Sequence, residues 1–404
     1  MNAASPAPAD LPNAGVDTPF ARLLARLPRR LRGPGYALLR RPALRAIAAD
    51  RSTRPLALLA THDLSRSGAP RTVLEIAAPL LEQGYRVIVF SMAEGPMRGA
   101  FEELGIPVLI DPTPGATSAY LRDLADRATI ALCNTVVTAG FVAAWGDRVP
   151  TIWYLHELSL LKDLIDRGRL RLPFARAARV WSGSEISAAI ARAGRADVRV
   201  FPYGMAPIGE APPPRTDGQL RIGVFGSVEA RKGQDLLADG LELLNPAQLA
   251  ELDVRVFGRV LDPAFARPVL ARAKAQGLFD YGGELDAASC HRAMLDVDAV
   301  LVCSREDTLP LVSLDALGCG RVLMLLPGVG TRNWITDNVS GLIAADASGP
   351  AVAELLSRAL ASRARLPEIA AAGRNVFDRH FSQAEFRQRL LAEIAELTGG
   401  AGSA

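Results

Sequence analysis

LRIGVFGSVEARKGQD, residues 220–235, is an apolar run that stops at a glycine and resumes as a helical pattern opened by Lys232 and Gly233. A buried strand, a short glycine-bearing loop and a helix form the repeating unit of a parallel sheet with covering helices. Backbone N–H groups and the positive end of the helix make such a loop a natural phosphate cradle, and Arg231 and Lys232 add charge. The same pattern also fits a plain strand-to-helix turn with two solvated cations. Gly226, Ser227, Arg231 and Lys232 are the first candidate residues.

Outward from this stretch, short apolar runs alternate with helical patterns in both directions. After it come LDVRVFG (252–258), FDYGGE (279–284), AVLVCS (299–304) and RVLMLL (321–326), with helices expected near Lys232, Pro263, Asp286, Leu309 and Thr331. Before it come LALLATH (56–62), RVIVFSM (86–92), PVLI (107–110), TIALCNT (129–135), TIWYLHE (151–157) and RVWSGS (179–184). The proline-rich APIGEAPPPRTDG (206–218) separates the two series and reads as a linker. The expected organisation is a basic, partly disordered arm (1–55), a first α/β domain (56–205) and a linker (206–219). A second α/β domain (220–380) and a C-terminal helix and tail (381–404) complete it. Both domains are expected to be doubly wound and Rossmann-like, so ligands should sit outside the carboxyl ends of their strands.

A chain of 404 residues suits two such domains, and its 49% hydrophobic content suffices for two cores. Net charge is +3 overall but uneven: residues 1–55 hold ten Arg against three Asp. That arm suits an anionic partner, or is a solvated tail. Phe20, Leu23, Leu24, Leu27 and Leu31 fall at helical spacing among arginines. A peripheral membrane contact through residues 20–45 is therefore one expectation, and docking on the protein body is the other. The four cysteines are far apart, with no metal-ligand spacing. This favours a reducing compartment. No apolar run reaches transmembrane length. The expected location is cytoplasmic, at or near the inner face of the membrane, and no nucleic-acid partner is expected.

VCSREDTLPLVSLDALGCG (302–320) places Asp307 on a post-strand loop and Asp315 eight residues later, about two helical turns on. Two carboxylates so spaced can accept hydrogen bonds from sugar hydroxyls. Alternatively, Glu306 and Asp307 cap the helix and Asp315 is a solvated helix residue.

GSVEARKGQD, SREDTLPLVSLDALGCG and GVGTRNWITDNVSGLI (328–343) together resemble the donor-domain motifs of the group 1 glycosyltransferases, retaining family 4, in order and separation. THDLSRSGAPRTVLEIAAPLLEQGYRV (61–87), CNTVVTAGFVAAWGDRVPTIWYLHE (133–157) and VWSGSE (180–185) are similar to that family's acceptor domain. The resemblance spans residues 56–345 and implies a GT-B fold, two Rossmann-like domains facing across a cleft. It also implies roles. Lys232, helped by Arg231, would neutralise a donor diphosphate. Asp315 would hold the nucleotide ribose, and Asp307 or Glu306 would lie beside the donor sugar. Gly328, Gly330 and Thr331 would lie near the phosphates or the sugar. His156 would face the donor sugar from the acceptor side. Gly68 and Ala69 would form the first-strand loop, with His62 lining the same crevice.

The chain departs from the family pattern at three places. Ser227 stands where arginine is usual, and Asn333 where many relatives have glutamate. The spaced acidic pair is Asp307 and Asp315, each about 1.5 Å shorter in reach than glutamate. The expected activity is hexosyl transfer, with retention, from a nucleotide-diphosphate sugar to a glycan or lipid-linked acceptor. Its setting would be cell-envelope, O-antigen or exopolysaccharide synthesis. The co-substrate replaces any cofactor, and no metal site is expected. The alternative is a degenerate GT-B protein that binds a nucleotide sugar or glycan without turnover.

Overall fold

The structure is a computed structural model that describes residues 29–49 and 52–399. The first 28 residues of the arm expected to be partly disordered, with most of the helical pattern in 20–31, fall outside the described residues. Among those described, residues up to 154 with 172–179 and 394–399 form one compact unit. Residues 155–171 with 180–393 form the other.

The strands are β1 (Leu56–Thr61), β2 (Arg86–Ser91), β3 (Val108–Ile110), β4 (Ile130–Asn134), β5 (Thr151–Leu155), β6 (Arg179–Ser182) and β7 (Arg199–Val200). They make one sheet in the order β3-β2-β1-β4-β5-β6-β7. A second, six-stranded sheet contains β8 (Leu220–Phe225), β9 (Leu252–Phe257), β10 (Asp280–Tyr281), β11 (Ala299–Val302), β12 (Val322–Leu325) and β13 (Leu342–Ile343). Its order is β10-β9-β8-β11-β12-β13. The described pairings are parallel, for example Leu58 with Ile88 and Val300 with Leu323. β1, β11 and β12 are buried at every position. Helices on both faces of a parallel sheet demand that pattern, and it explains the unbroken apolar runs in the sequence.

Two sequence-based expectations differ from what is observed. The helix expected near Thr331 is only a 3₁₀ turn, Gly330–Trp334, and the next α-helix begins at Gly349. FDYGGE contributes only Asp280–Tyr281 as strand. β7 and β13 have two residues each, too short for an apolar run to announce them.

Within the first unit, Phe90, Phe141 and Trp145 form a buried aromatic cluster with ring centroids 5.1–5.7 Å apart. Each such pair contributes about 0.5–1.5 kcal/mol beyond its area burial. Part of the basic arm is a helix, Arg29–Ala49, that packs on this unit. Its Tyr36 and Ile47 are buried, and Arg40 Nη1 donates to the Ile110 carbonyl at 2.7 Å. The same guanidinium lies 3.3 Å from Asp111 and 4.6 Å from the Tyr120 ring centroid. One arginine of the arm is thus consumed by docking.

In the second unit the proline-rich segment is strapped down by distant arginines. Arg321 donates to the Pro212 carbonyl, Arg363 to the Asp217 carbonyl, and Arg215 pairs with buried Asp298 at 3.2 Å. No helix among the described residues is long and apolar enough to cross a membrane.

Candidate functional site

Strand order fixes where each sheet can bind a ligand. In the second sheet the strand order reverses between the parallel neighbours β8 and β11, so a crevice opens outside their carboxyl ends. The loop after β8 carries Gly226, Ser227, Arg231 and Lys232, and the loop after β11 carries Glu306 and Asp307. They meet: Lys232 Nζ donates to Asp307 Oδ2 at 2.5 Å, with both side chains more than four-fifths buried.

Arg231 is more exposed. Its guanidinium reaches Glu229 Oε1 at 2.9 Å, Asp307 Oδ2 at 3.6 Å and the Glu306 carbonyl at 3.4 Å. Ser227 donates to the same Glu229 oxygen at 2.7 Å. Two cations therefore sit against two carboxylates, Glu229 and Asp307, and an entering dianion must take the cations from those partners.

The loop geometry depends on glycine at Gly233, where φ is +71° and an added Cβ would lie 2.0 Å from the Cys303 carbonyl oxygen. That left-handed residue turns the chain into the helix Gln234–Glu242. Gln234 is buried and donates to the Ser227 carbonyl at 2.9 Å, fixing the loop from below.

GVGT (328–331) closes the third side. Asp307 N donates to the Gly328 carbonyl at 3.0 Å, and Gly330 N to the Asp307 carbonyl at 2.8 Å. Thr331 is fully buried, and its hydroxyl has no hydrogen-bond partner among the described residues. Buried hydroxyls without partners are uncommon and need an explanation.

The helix Leu311–Gly318 begins after Pro310 without any side-chain cap, so neither Glu306 nor Asp307 serves as its cap. Asp315 is buried in that helix rather than solvated. Its charge adds to the burial that raises the Cys290 thiol and pushes Cys319 up to about 11.

His156 follows β5 and is half-buried. Thr308 Oγ1 donates to its carbonyl at 2.5 Å, and its ring meets that of Tyr203 at 5.9 Å. Ser159 Oγ donates to Glu306 Oε2 at 2.7 Å. The structure thus brings His156, Glu306, Asp307, Arg231, Lys232, Gly328 and Gly330 into one neighbourhood. Thr308, Glu229, Gln234 and Ser159 belong to it as well, and sequence reasoning did not single them out. Glu229, Gln234 and Thr308 lie inside the quoted motifs, so a signal was available for those three.

His62, Gly68 and Ala69 lie in the first unit, at the carboxyl end of β1 and the start of the helix Gly68–Glu82. Burial holds the His62 pKa below its ordinary value, opposed by Asp63 at 3.5 Å. The neutral form is thus favoured on folding. A histidine with a lowered folded pKa contributes stability above about pH 6.5 that is lost as pH falls through and below that value. Between pH 7.5 and 5 the unfolding midpoint of the wild type should therefore fall more than that of His62→Gln. Parallel curves in thermal scans would refute the assignment.

Comparison with known proteins gives the family and the fold. Residues 219–362 match the family model described as glycosyl transferases group 1, and residues 53–177 match that described as glycosyl-transferase family 4. The chain belongs to the group 1, family 4 glycosyltransferases, and its fold is GT-B. It is similar to the Anabaena protein HepE in complex with UDP and glucose, with TM-score 0.71 and 18% identity over 84% of this chain and 99% of that one. It is also similar to sucrose-phosphate synthase of Thermosynechococcus elongatus, with TM-score 0.69 and 16% identity over 86% and 100%. A third likeness is to the lipopolysaccharide outer core galactosyltransferase WaaB, with TM-score 0.65 and 14% identity over 85% and 100%. No curated protein sequence matches.

Proposed function

We propose that this glycosyltransferase moves a hexosyl group from a nucleotide-diphosphate sugar to a glycan or lipid-linked acceptor, with retention, in cell-envelope or exopolysaccharide synthesis. The observation that carries the proposal is the Lys232–Asp307 pair across the switch point between β8 and β11. On this reading the donor diphosphate replaces Asp307 as partner of Lys232, and Arg231 swings from Glu229 onto the same phosphates. Asp307, once released, accepts from donor-sugar hydroxyls. Thr331 offers its buried hydroxyl to the phosphates, and Asp315 takes the ribose. The departing diphosphate then accepts the acceptor proton on the same face, and no side-chain nucleophile is used. The envelope setting draws on the likeness to WaaB, and the basic arm suits a membrane-proximal acceptor.

Charge neutralisation comes from side chains in this scheme, so no protein-bound metal is needed. Thermal unfolding with UDP, GDP, dTDP, ADP and CDP tests the donor site. A ligand at about 100 times its Kd stabilises the native state by about 2.7 kcal/mol. That should raise the midpoint by several degrees at about 2–4 °C per kcal/mol. UDP comes first, because HepE was solved with UDP and with UDP-glucose. One nucleotide should stand out, and its shift should persist in excess chelator. No shift from any of the five would favour a GT-B protein without turnover, a reading supported by Ser227, which stands where the family usually has arginine and is bonded to Glu229.

His156 is proposed to face the donor sugar. His156→Ala should reduce transfer by about 10²-fold, the lower end for a positioned proton-handling or polar group, with the nucleotide-induced shift retained. Turnover at the wild-type level would return His156 to a packing role against Tyr203.

A further inference from the structure

The two cations of the donor crevice ride on a turn that core packing does not hold. Arg231 and Lys232 belong to the 3₁₀ turn Ala230–Lys232, which gives the hydrophobic core no side chain to anchor it. A lone 3₁₀ turn also has poor hydrogen-bond geometry of its own. Its aim depends on what holds its carbonyls. Cys303 Sγ donates to the Lys232 carbonyl at 3.2 Å, and burial pushes this thiol up to about 12, so it keeps its proton. Arg305 N donates to the Arg231 carbonyl at 2.9 Å, and Arg305 Nη1 to the Ala230 carbonyl at 2.6 Å. All three carbonyls of the turn are thus held from the residues that follow β11, two of them by Arg305.

The Arg305 guanidinium is itself fixed. Its Nη1 and Nη2 reach the two carboxylate oxygens of Asp235 at 2.8 and 2.6 Å, a bidentate pair. Asp235 lies in the first turn of the helix Gln234–Glu242, which follows the cations' turn directly through Gly233. The Arg305 carbonyl meets the GVGT loop: a Cβ on Gly328 would stand 1.8 Å from that oxygen. One residue therefore ties together the β8 loop, the helix after it and the GVGT loop. A lysine could not replace it, because a point charge cannot span a carboxylate and a carbonyl as the planar fork does.

We infer that Arg305 is a positioning residue for the donor diphosphate: clamped by Asp235, it holds the Ala230–Lys232 turn so that Lys232 and Arg231 meet the phosphates, and it does not touch them itself. This rests on the proposed donor reading and deepens it.

Charge and geometry make opposite forecasts for the two members of the pair. Arg305→Ala leaves Asp235 an unpaired anion, whereas Asp235→Ala leaves Arg305 an unpaired cation. Acting through its field alone, the pair would make the first variant bind a nucleoside diphosphate more weakly and the second more tightly. Holding the turn, it makes both bind more weakly. UDP and uridine are titrated calorimetrically into the full-length wild type and each variant, below its unfolding midpoint. If the thermal screen selects another base, its diphosphate and nucleoside take their place. Both alanine variants should bind UDP about tenfold more weakly, the cost of misaiming a charge-assisted hydrogen bond. Uridine has no phosphate, so its affinity should not change. Arg305→Lys keeps the charge without the fork and should recover little. A loss of stability alone would move the unfolding midpoint and leave the Kd of the folded protein unaltered. If Arg305→Ala does not fold, Asp235→Ala carries the same expectation. Unchanged UDP affinity in Arg305→Ala, tighter binding by Asp235→Ala, or full recovery in Arg305→Lys overturns the inference. So does a fall in uridine affinity equal to that for UDP, because the damage would then extend to the whole crevice. A wild type that binds none of the five nucleotides overturns the donor reading and this inference with it. Wild-type binding with unaltered variants removes Arg305 alone.

Discussion

Lys232→Ala should weaken donor-nucleotide binding by about 1.5–3 kcal/mol, the range for a charge-assisted hydrogen bond, which is roughly 10- to 150-fold in Kd. The loss has two parts. A direct contact between an ammonium and a phosphate oxygen disappears. In addition, Asp307 keeps its charge and loses its partner at 2.5 Å, so the crevice becomes more negative just where a dianion must enter. Arg231, at 3.6 Å from Asp307 and 42% exposed, offsets little of this. The two parts separate in a double-mutant cycle. Lys232→Ala/Asp307→Asn should recover part of the affinity lost by Lys232→Ala, because the repulsive carboxylate is gone. No recovery would mean that Asp307 does not share the phosphate's place. A second readout comes from composition: the chain has three lysines, Lys162, Lys232 and Lys274, and only Lys232 is not exposed. Amine-reactive labelling followed by peptide mapping should show Lys232 protected by the bound nucleotide, with the other two unchanged. Unchanged affinity in Lys232→Ala and unchanged labelling would together remove Lys232 from the site.

The strand–loop–helix at 220–235 was legible because both of its determinants are local. A fully buried parallel strand needs an apolar run, and Gly233 needs a positive φ. The pairing of Lys232 with Asp307 is not local. It joins residues 75 apart and depends on β11 lying next to β8, an order that no periodicity records. The spacing of Asp307 and Asp315 left capping and ligand binding open, and only the uncapped start of Leu311–Gly318 decides against capping. The proline cluster marked a break in the α/β pattern correctly as composition. Its fixation by Arg321, Arg363 and Asp298 was invisible, since all three lie about 80 to 150 residues away. Arginines in the N-terminal arm read as one basic surface. Arg40 shows why that reading overcounts: its charge is spent on Asp111, the Ile110 carbonyl and the Tyr120 ring.

Gly330→Ala should cost about 1–3 kcal/mol of stability, as overpacking a close-packed position does, and should also abolish most of the nucleotide-induced shift. The reason is steric. A Cβ at this position would stand 1.8 Å from the Thr308 carbonyl oxygen and 2.4 Å from Ser184 Oγ. Neither neighbour can yield cheaply, because the first is backbone and the second belongs to the buried Ser182–Ser184–Ser187 hydroxyl cluster. The loop must shift instead, taking with it the Gly330 N–H that donates to the Asp307 carbonyl at 2.8 Å. Asp307 and Thr308 move together, so Lys232 loses its partner geometry and His156 loses the 2.5 Å hydrogen bond to its carbonyl. Gly99→Ala is the control, in a helix where an added Cβ meets nothing within 4 Å. That change should be neutral or stabilising by about 0.4–1 kcal/mol through the unfolded chain. Thermal scans of the two variants with and without the selected nucleotide distinguish the outcomes. A Gly330→Ala protein that keeps both its midpoint and its full nucleotide shift would show that the GVGT loop does not brace Asp307. The crevice would then have to be built by the β8 and β11 loops alone.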